Sequence, residues 1–96
     1  MNDPDVPAVW DLTKAANNER KHGVTFEEAA TVFLDPLEAT IPDPDHSHGE
    51  DRWVSMGYSD RGRLLVVVYV ERGPLLRIIS ARLANKREQG AYEESQ

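Results

Sequence analysis

Seven basic side chains, Arg61, Arg63, Arg72, Arg77, Arg82, Lys86 and Arg87, fall between positions 61 and 87 with one acid, Glu71, among them, a local balance of +6. Arginine is permanently charged, and its planar fork matches two oxygens of a phosphate, so this segment suits a polyanion. Metal-free cleavage of RNA needs three things: a base for the 2′-hydroxyl, cations for the charge that develops on a phosphorane-like transition state, and an acid for the leaving oxygen. Arginine supplies the second. His22 is the candidate for proton transfer, because imidazole titrates nearest neutrality. It also stands beside Gly23 at a predicted helix end, where a histidine complements the negative end of the dipole, and the residues alone leave both readings open.

Other chemistries are excluded or weakly signalled. The chain has no cysteine, hence no disulfide, thiolate metal site or thiol nucleophile. It lacks a phosphate-cradling glycine loop, a nucleophile elbow and a paired-histidine metal motif. His46 and His48 stand among Asp43, Asp45, Glu50 and Asp51, but their spacing matches no closed tetrahedral site, and the stretch reads as a solvated acidic loop. No metal or cofactor is expected. Trp10 and Tyr92 read as packing residues.

The elements that must position these groups follow from periodicity and caps. Asp11 is placed to cap a helix over Leu12–His22, stopped by Gly23. Thr25 with Glu28 forms a capping box for a second helix from Phe26 to about Phe33, ended by Asp35-Pro36. Leu37–Ile41 is a candidate edge strand. After a turn-rich stretch from Pro42 to Asp51, three strands are expected as a meander, Arg52–Tyr58, Arg63–Glu71 and Leu75–Ala81. The run LLVVVYV is apolar on both faces, so it should be central, with helices on one face and partial cover on the other. Asn85 with Glu88 caps a last helix through Tyr92. The expected fold class is α+β: a small antiparallel sheet of three to four strands, two N-terminal helices and one C-terminal helix.

If Ser59–Gly62 closes the first hairpin, Tyr58 faces Arg63 and Arg52 faces Tyr69. The second hairpin then sets Arg77 beside Val68, whose other neighbour is Trp53. Arg82 emerges near Arg63 on the opposite face. This register gathers Tyr58, Arg63 and Arg82 at one end of one face. On the other it pairs Arg77 with Trp53, where a guanidinium and an indole could meet one nucleotide.

Ninety-six residues fit one domain, 1–96, with loosely ordered ends at about 1–8 and 94–96. The net charge of −6 argues against a polyanion partner, but it is segregated: residues 1–60 carry −9 and residues 88–96 carry −3, around the basic segment. The N-terminus lacks a basic and apolar leader, and the longest apolar run, Leu64–Val70, is too short to span a bilayer, so a cytoplasmic protein is expected.

The run Trp10-Asp11, Lys14, Asn18, Lys21-His22-Gly23, followed by Phe26 and Ala29, resembles the opening signature of the BrnT toxin family. Arg52 with Gly57, and the block Ile78-Ile-Ser-Ala-Arg82, Ala84, Glu88 and Tyr92, extend the resemblance over about Val9–Glu94. The resemblance implies a fold similar to the RelE ribonuclease toxins and cleavage of cellular RNA that halts translation. It also implies neutralisation by a BrnA-like antitoxin in a hetero-oligomer, which touches DNA only through the antitoxin. Carried over residue by residue, it points to Lys14, Lys21, His22, Arg52, Arg82 and Glu88 as catalytic positions. Arg63, Arg77, Tyr58, Trp53 and Lys86 are the expected RNA-binding residues from the register and the basic segment. The alternative is a weakly catalytic or inactive module that binds an antitoxin and takes part in repressing its own operon.

Overall fold

Asp11 starts the first helix as its position requires: its carboxylate accepts from the Lys14 N–H at 2.9 Å. Helix α1 runs Leu12–His22 and stops at Gly23, which adopts φ 70°, a conformation that costs glycine no Cβ clash. The computed structural model describes residues 7–43 and 51–96. Thr25 caps α2, Phe26–Ala30, by accepting from the Glu28 N–H at 3.0 Å. The single helix expected over 26–33 is divided, because Thr31 turns both its N–H and its hydroxyl back to the Glu28 carbonyl and tightens the chain into a 3₁₀ turn, Thr31–Leu34.

Four antiparallel strands follow, β2 (Ala39–Pro42), β3 (Arg52–Tyr58), β4 (Leu64–Arg72) and β5 (Leu75–Leu83), then α3 (Lys86–Glu94) with its Asn85–Glu88 capping box. The sheet has five strands in the order β1-β5-β4-β3-β2, since Ala8–Val9 forms a strand β1 parallel to β5. The expectation of three to four strands, all antiparallel, is therefore corrected. Two residues are too few to show alternation. What makes them a strand is the exposed edge of β5, where the Leu76 N–H donates to the Pro7 carbonyl at 2.8 Å.

One face of the sheet carries the main core: Leu65, Val67, Tyr69, Ile78 and Ala81 pack against Val24, Phe26, Ala29 and Val32. On the other face Leu64, Val66 and Val70 are also buried, which is why β4 is apolar throughout. Helix α3 covers one end of that second face. Tyr92 is buried there, edge-on to Tyr58, and its hydroxyl donates to Asp35 Oδ2 and the Leu37 carbonyl, each at 3.1 Å. Burial, and then the Asp35 carboxylate, push the Tyr92 hydroxyl up to about 12. Asp35 also accepts from the N–H groups of Leu37 and Tyr58, at 2.9 and 2.8 Å. Glycine at position 57 leaves room for this junction, because a Cβ there would stand 3.1 Å from Val32 Cγ1 and 3.2 Å from Asp35 Oδ2, and these neighbours would have to give way slightly.

The free edge of β5 beyond β1 is closed by one side chain. Asn18, buried on α1, accepts from the Ala81 N–H at 3.1 Å and donates to the Ala81 carbonyl at 2.8 Å and the Val24 carbonyl at 3.0 Å. Its amide replaces the neighbouring strand that Ala81 lacks.

Candidate active site at the β5 edge

Arg77 and Arg82 are five positions apart, and in a regular strand an odd separation puts side chains on opposite faces. The pairing with β4 shifts between Val68 and Tyr69: Val68 pairs with Ser80 and Tyr69 with Ile78, so Ile79 is an extra residue. This bulge changes the parity. Arg77 pairs with Val70, Ser80 with Val68 and Arg82 with Val66, and all three point to the face away from the main core. Val70 also pairs with Arg52, so Arg52 and Arg77 flank it in one row, about 10 Å apart across two strand spacings.

The bulge also floors a cleft. Lys14, Asn17, Asn18, Lys21 and His22 of α1 stand over Ile79 and Ser80, lining an open cleft of about 250 Å³. Lys14, Lys21 and His22 share a helix face at spacings of seven and eight residues. The cleft thus brings Lys14, Lys21 and His22 to Ser80, which lies between Arg77 and Arg82 in the β5 sequence, although neither arginine lines the cleft. A phosphodiester lying here would meet the charge of the two lysines and one imidazole able to donate or accept a hydrogen bond.

The expected register is corrected by one position on β3. Tyr58 faces Leu64, not Arg63, and Arg52 faces Val70, not Tyr69. Arg77 is beside Val70 rather than Val68, and Trp53 lies on the opposite face, packed against the main core with its Nε1 buried. An indole so placed cannot stack on a base beside Arg77. Arg63 is engaged elsewhere. Its Nε donates to Glu28 Oε2 at 2.9 Å, and its Nη2 donates to Glu28 Oε1 and, at 3.1 Å, to the Gly23 carbonyl. Ser59 adds a bond to Glu28 Oε2 at 2.7 Å, and Arg61 Nη1 stands 3.8 Å from Oε1. The Arg63 bonds hold the buried Glu28 carboxyl below the usual range, with Ser59 assisting. Glu28 is the buried partner that the sequence conceals, since at N3 of a helix it reads as a capping residue.

Tyr58 meets Tyr92 edge-to-face and lines a shallow hollow with Asp35 and Asp60, whose charge opposes a phosphate. The expected cluster of Tyr58, Arg63 and Arg82 does not form. Lys86 is exposed at the first turn of α3. Glu88 meets Arg82 directly, Nη1 to Oε1 and Nη2 to Oε2, both at 2.8 Å. Arg52 Nε lies 3.9 Å from Asp43 Oδ2. His46 and His48 lie outside the described residues. Among the described residues no three His, Asp or Glu side chains converge as a metal centre requires, and no helix is long and apolar enough to cross a membrane. Asn17 and Ser80 enter as further lining residues of the α1 cleft, Asn17 from the same helix face as Lys14 and Lys21 and Ser80 from the bulged strand.

Lys14, Lys21 and His22 thus line the α1 cleft while Arg52, Arg77 and Arg82 stand on the open face of the sheet, and the sequence profile described as "Ribonuclease toxin, BrnT, of type II toxin-antitoxin system" matches residues 10–88. The chain belongs to the BrnT family. Family members of type II systems have an antitoxin partner, and a BrnT chain accordingly needs a surface for one. Among solved structures this BrnT chain is similar to the Brucella abortus ribonuclease toxin BrnT, with a TM-score of 0.65 and 23% identity, over 82% of this chain and 96% of that one. At that identity the likeness speaks for the fold. No curated protein matches.

Proposed function

We propose that this BrnT chain is a toxin that cuts RNA at the β5 edge without a metal, and that a BrnA-like antitoxin neutralises it. The observation that carries the reading is the bulge at Ile79, which turns Arg77 to the side of Arg82 and places Ser80 beneath Lys14, Lys21 and His22. In the proposed reaction a 2′-hydroxyl attacks the adjacent phosphorus as it loses its proton. The bond to the 5′-oxygen breaks and that oxygen takes up a proton, leaving a cyclic phosphate and a free 5′-hydroxyl. His22 exchanges the protons, while Arg77, Arg82 and the two lysines stabilise the charge on the non-bridging oxygens.

The expected setting is the cytoplasm, with translation halted by loss of RNA and DNA contacted only through the antitoxin. The test is expression in a bacterial host without an antitoxin gene. Growth arrest with fragmentation of total RNA is expected from the wild type and not from His22→Ala/Arg77→Ala. Growth arrest with intact RNA would refute ribonuclease action.

One feature favours a second reading, a non-catalytic antitoxin-binding module. Arg61 and Arg63 are drawn to Glu28, and Arg82 to Glu88, so part of the basic segment is neutralised within the chain. That module would bind the antitoxin tightly and leave RNA intact.

A further inference from the structure

The two arginines that pair with carboxylates do so through different edges of the guanidinium, and the difference decides which can take a phosphate. Arg63 uses its Nε–Nη2 edge on Glu28, the side-on fork that would otherwise hold two phosphate oxygens. Arg82 uses its end. Nη1 and Nη2 each give one N–H to Glu88, and the second N–H of Nη1 reaches the Leu83 carbonyl at 3.3 Å. A guanidinium has five N–H groups. The two left over, Nε–H and the second N–H of Nη2, are parallel and form the side-on fork.

Glu88 is itself held. Its Oε1 accepts from the Asn85 N–H at 3.0 Å and its own N–H donates to Asn85 Oδ1 at 2.8 Å, so the carboxylate that grips Arg82 belongs to the capping box of α3. The far end of α3 is anchored by the buried Tyr92. A rigid acceptor fixes the plane of the Arg82 guanidinium, which projects from the face that also carries Ser80 and Arg77.

We infer that Glu88 is a positioning residue, neither acid nor base, whose bidentate grip turns the free Nε–Nη2 edge of Arg82 toward a substrate phosphate. This rests on the proposed ribonuclease site. Arg63 has no comparable free edge, so the distinction between the two arginines follows from their bonds and not from their charge.

The test is a kinetic cycle with Glu88→Gln, Arg82→Lys and the double variant, on an unstructured RNA oligonucleotide in EDTA. Glutamine keeps the capping box but offers Arg82 one acceptor in place of two. A fall of about tenfold or more in kcat/KM, mainly in kcat, is expected for Glu88→Gln. Arg82→Lys, which lacks the fork, should lose at least as much, and the double variant no more than Arg82→Lys alone. The limbs of the pH–rate profile should stay in place. Full activity in Glu88→Gln overturns the inference, as do additive losses or a displaced pH limb, which would make Glu88 an acid or base. A second measurement is independent of turnover: titration of the wild type with inorganic phosphate, followed by NMR at the arginine Nε–H groups. Arg82 should respond, Arg63 should not, and Glu88→Gln should abolish the response. A wild type that cuts no RNA yet shows this pattern refutes the ribonuclease reading and leaves the orienting role standing. A silent Arg82 refutes the orienting role.

Discussion

Replacing Asn18 removes three hydrogen bonds at once, and the structure allows the loss to be apportioned. In Asn18→Ala the N–H and carbonyl of Ala81 and the carbonyl of Val24 lose their partner, and both residues are fully buried. An unsatisfied buried backbone group costs roughly 1–3 kcal/mol. The cleft beside Asn18 is open, so water entering the space of the lost amide recovers part of this, and about 2–4 kcal/mol remains. For a chain whose whole stability is about 5–15 kcal/mol, that is a large fraction. Asn18→Asp separates the hydrogen-bond account from a packing account. The shape is kept and one oxygen still accepts from the Ala81 N–H, but the other now faces two carbonyl oxygens. The carboxyl pKa should rise, so the stability of this variant is present at low pH and falls as pH rises through the folded value. Urea unfolding monitored by Trp10 and Trp53 fluorescence at pH 5 and pH 8 provides the assay. Asn18→Asp should be at least as unstable as Asn18→Ala at pH 8 and recover about 1 kcal/mol or more at pH 5 relative to wild type. A loss below about 0.5 kcal/mol for Asn18→Ala, or a pH-independent Asn18→Asp, refutes the reasoning.

Three further outcomes follow from the buried polar groups. Glu28 has its carboxyl lowered by Arg63, so its contribution is present above the ordinary value of 4.5 and is lost as pH falls through the folded value. Glu28→Gln should be less stable by about 2–3 kcal/mol at pH 7, below the figure for a fully buried pair because Arg63 keeps some hydration, and should show a flatter acid limb in denaturation curves. Glu38 is the opposite case: burial raises its carboxyl, the Ser55 hydroxyl offsets this in part, and Oε2 is buried with no hydrogen-bond partner among the described residues. Its contribution is present below 4.5 and is lost as pH rises through the folded value, so Glu38→Gln should gain about 0.5–1 kcal/mol at pH 8 in urea unfolding. Gly57→Ala should lose about 1–3 kcal/mol, read as a lowered melting temperature, because its Cβ presses on Val32 and on the carboxylate that joins β3 to α3.

What the sequence discloses, and what it conceals, divides along the range of the interactions. The caps at Asp11, Thr25 and Asn85, the stop at Gly23 and the central position of LLVVVYV are local or compositional, and they were legible. β1 was not, because a two-residue strand exists only by virtue of the β5 edge. Of the proposed site, the residue types are legible and their arrangement is not. Lys14, Lys21, His22, Arg52, Arg77 and Arg82 stand out individually, by charge or by the family resemblance. A single extra residue at Ile79 decides that Arg77 shares a face with Arg82, and no periodicity announces a bulge. Arg63 and Arg77 look alike as basic residues beside turns. They differ because Glu28, 35 positions from Arg63, lies within reach of one and not the other.

That difference gives the most direct measurement of the central claim: the initial rate of cleavage of an unstructured RNA in EDTA by Arg77→Ala and by Arg63→Lys, both below their melting temperatures. Arg77→Ala should lower kcat/KM by about 100-fold or more while remaining folded. Arg63→Lys, which keeps its charge beside Glu28 and loses only the fork, should cleave within about threefold of the wild type and melt at a lower temperature. Unimpaired cleavage by Arg77→Ala, with cleavage abolished in a folded Arg63→Lys, would place the chemistry on the helix-covered side of the sheet and contradict the assignment to the β5 edge.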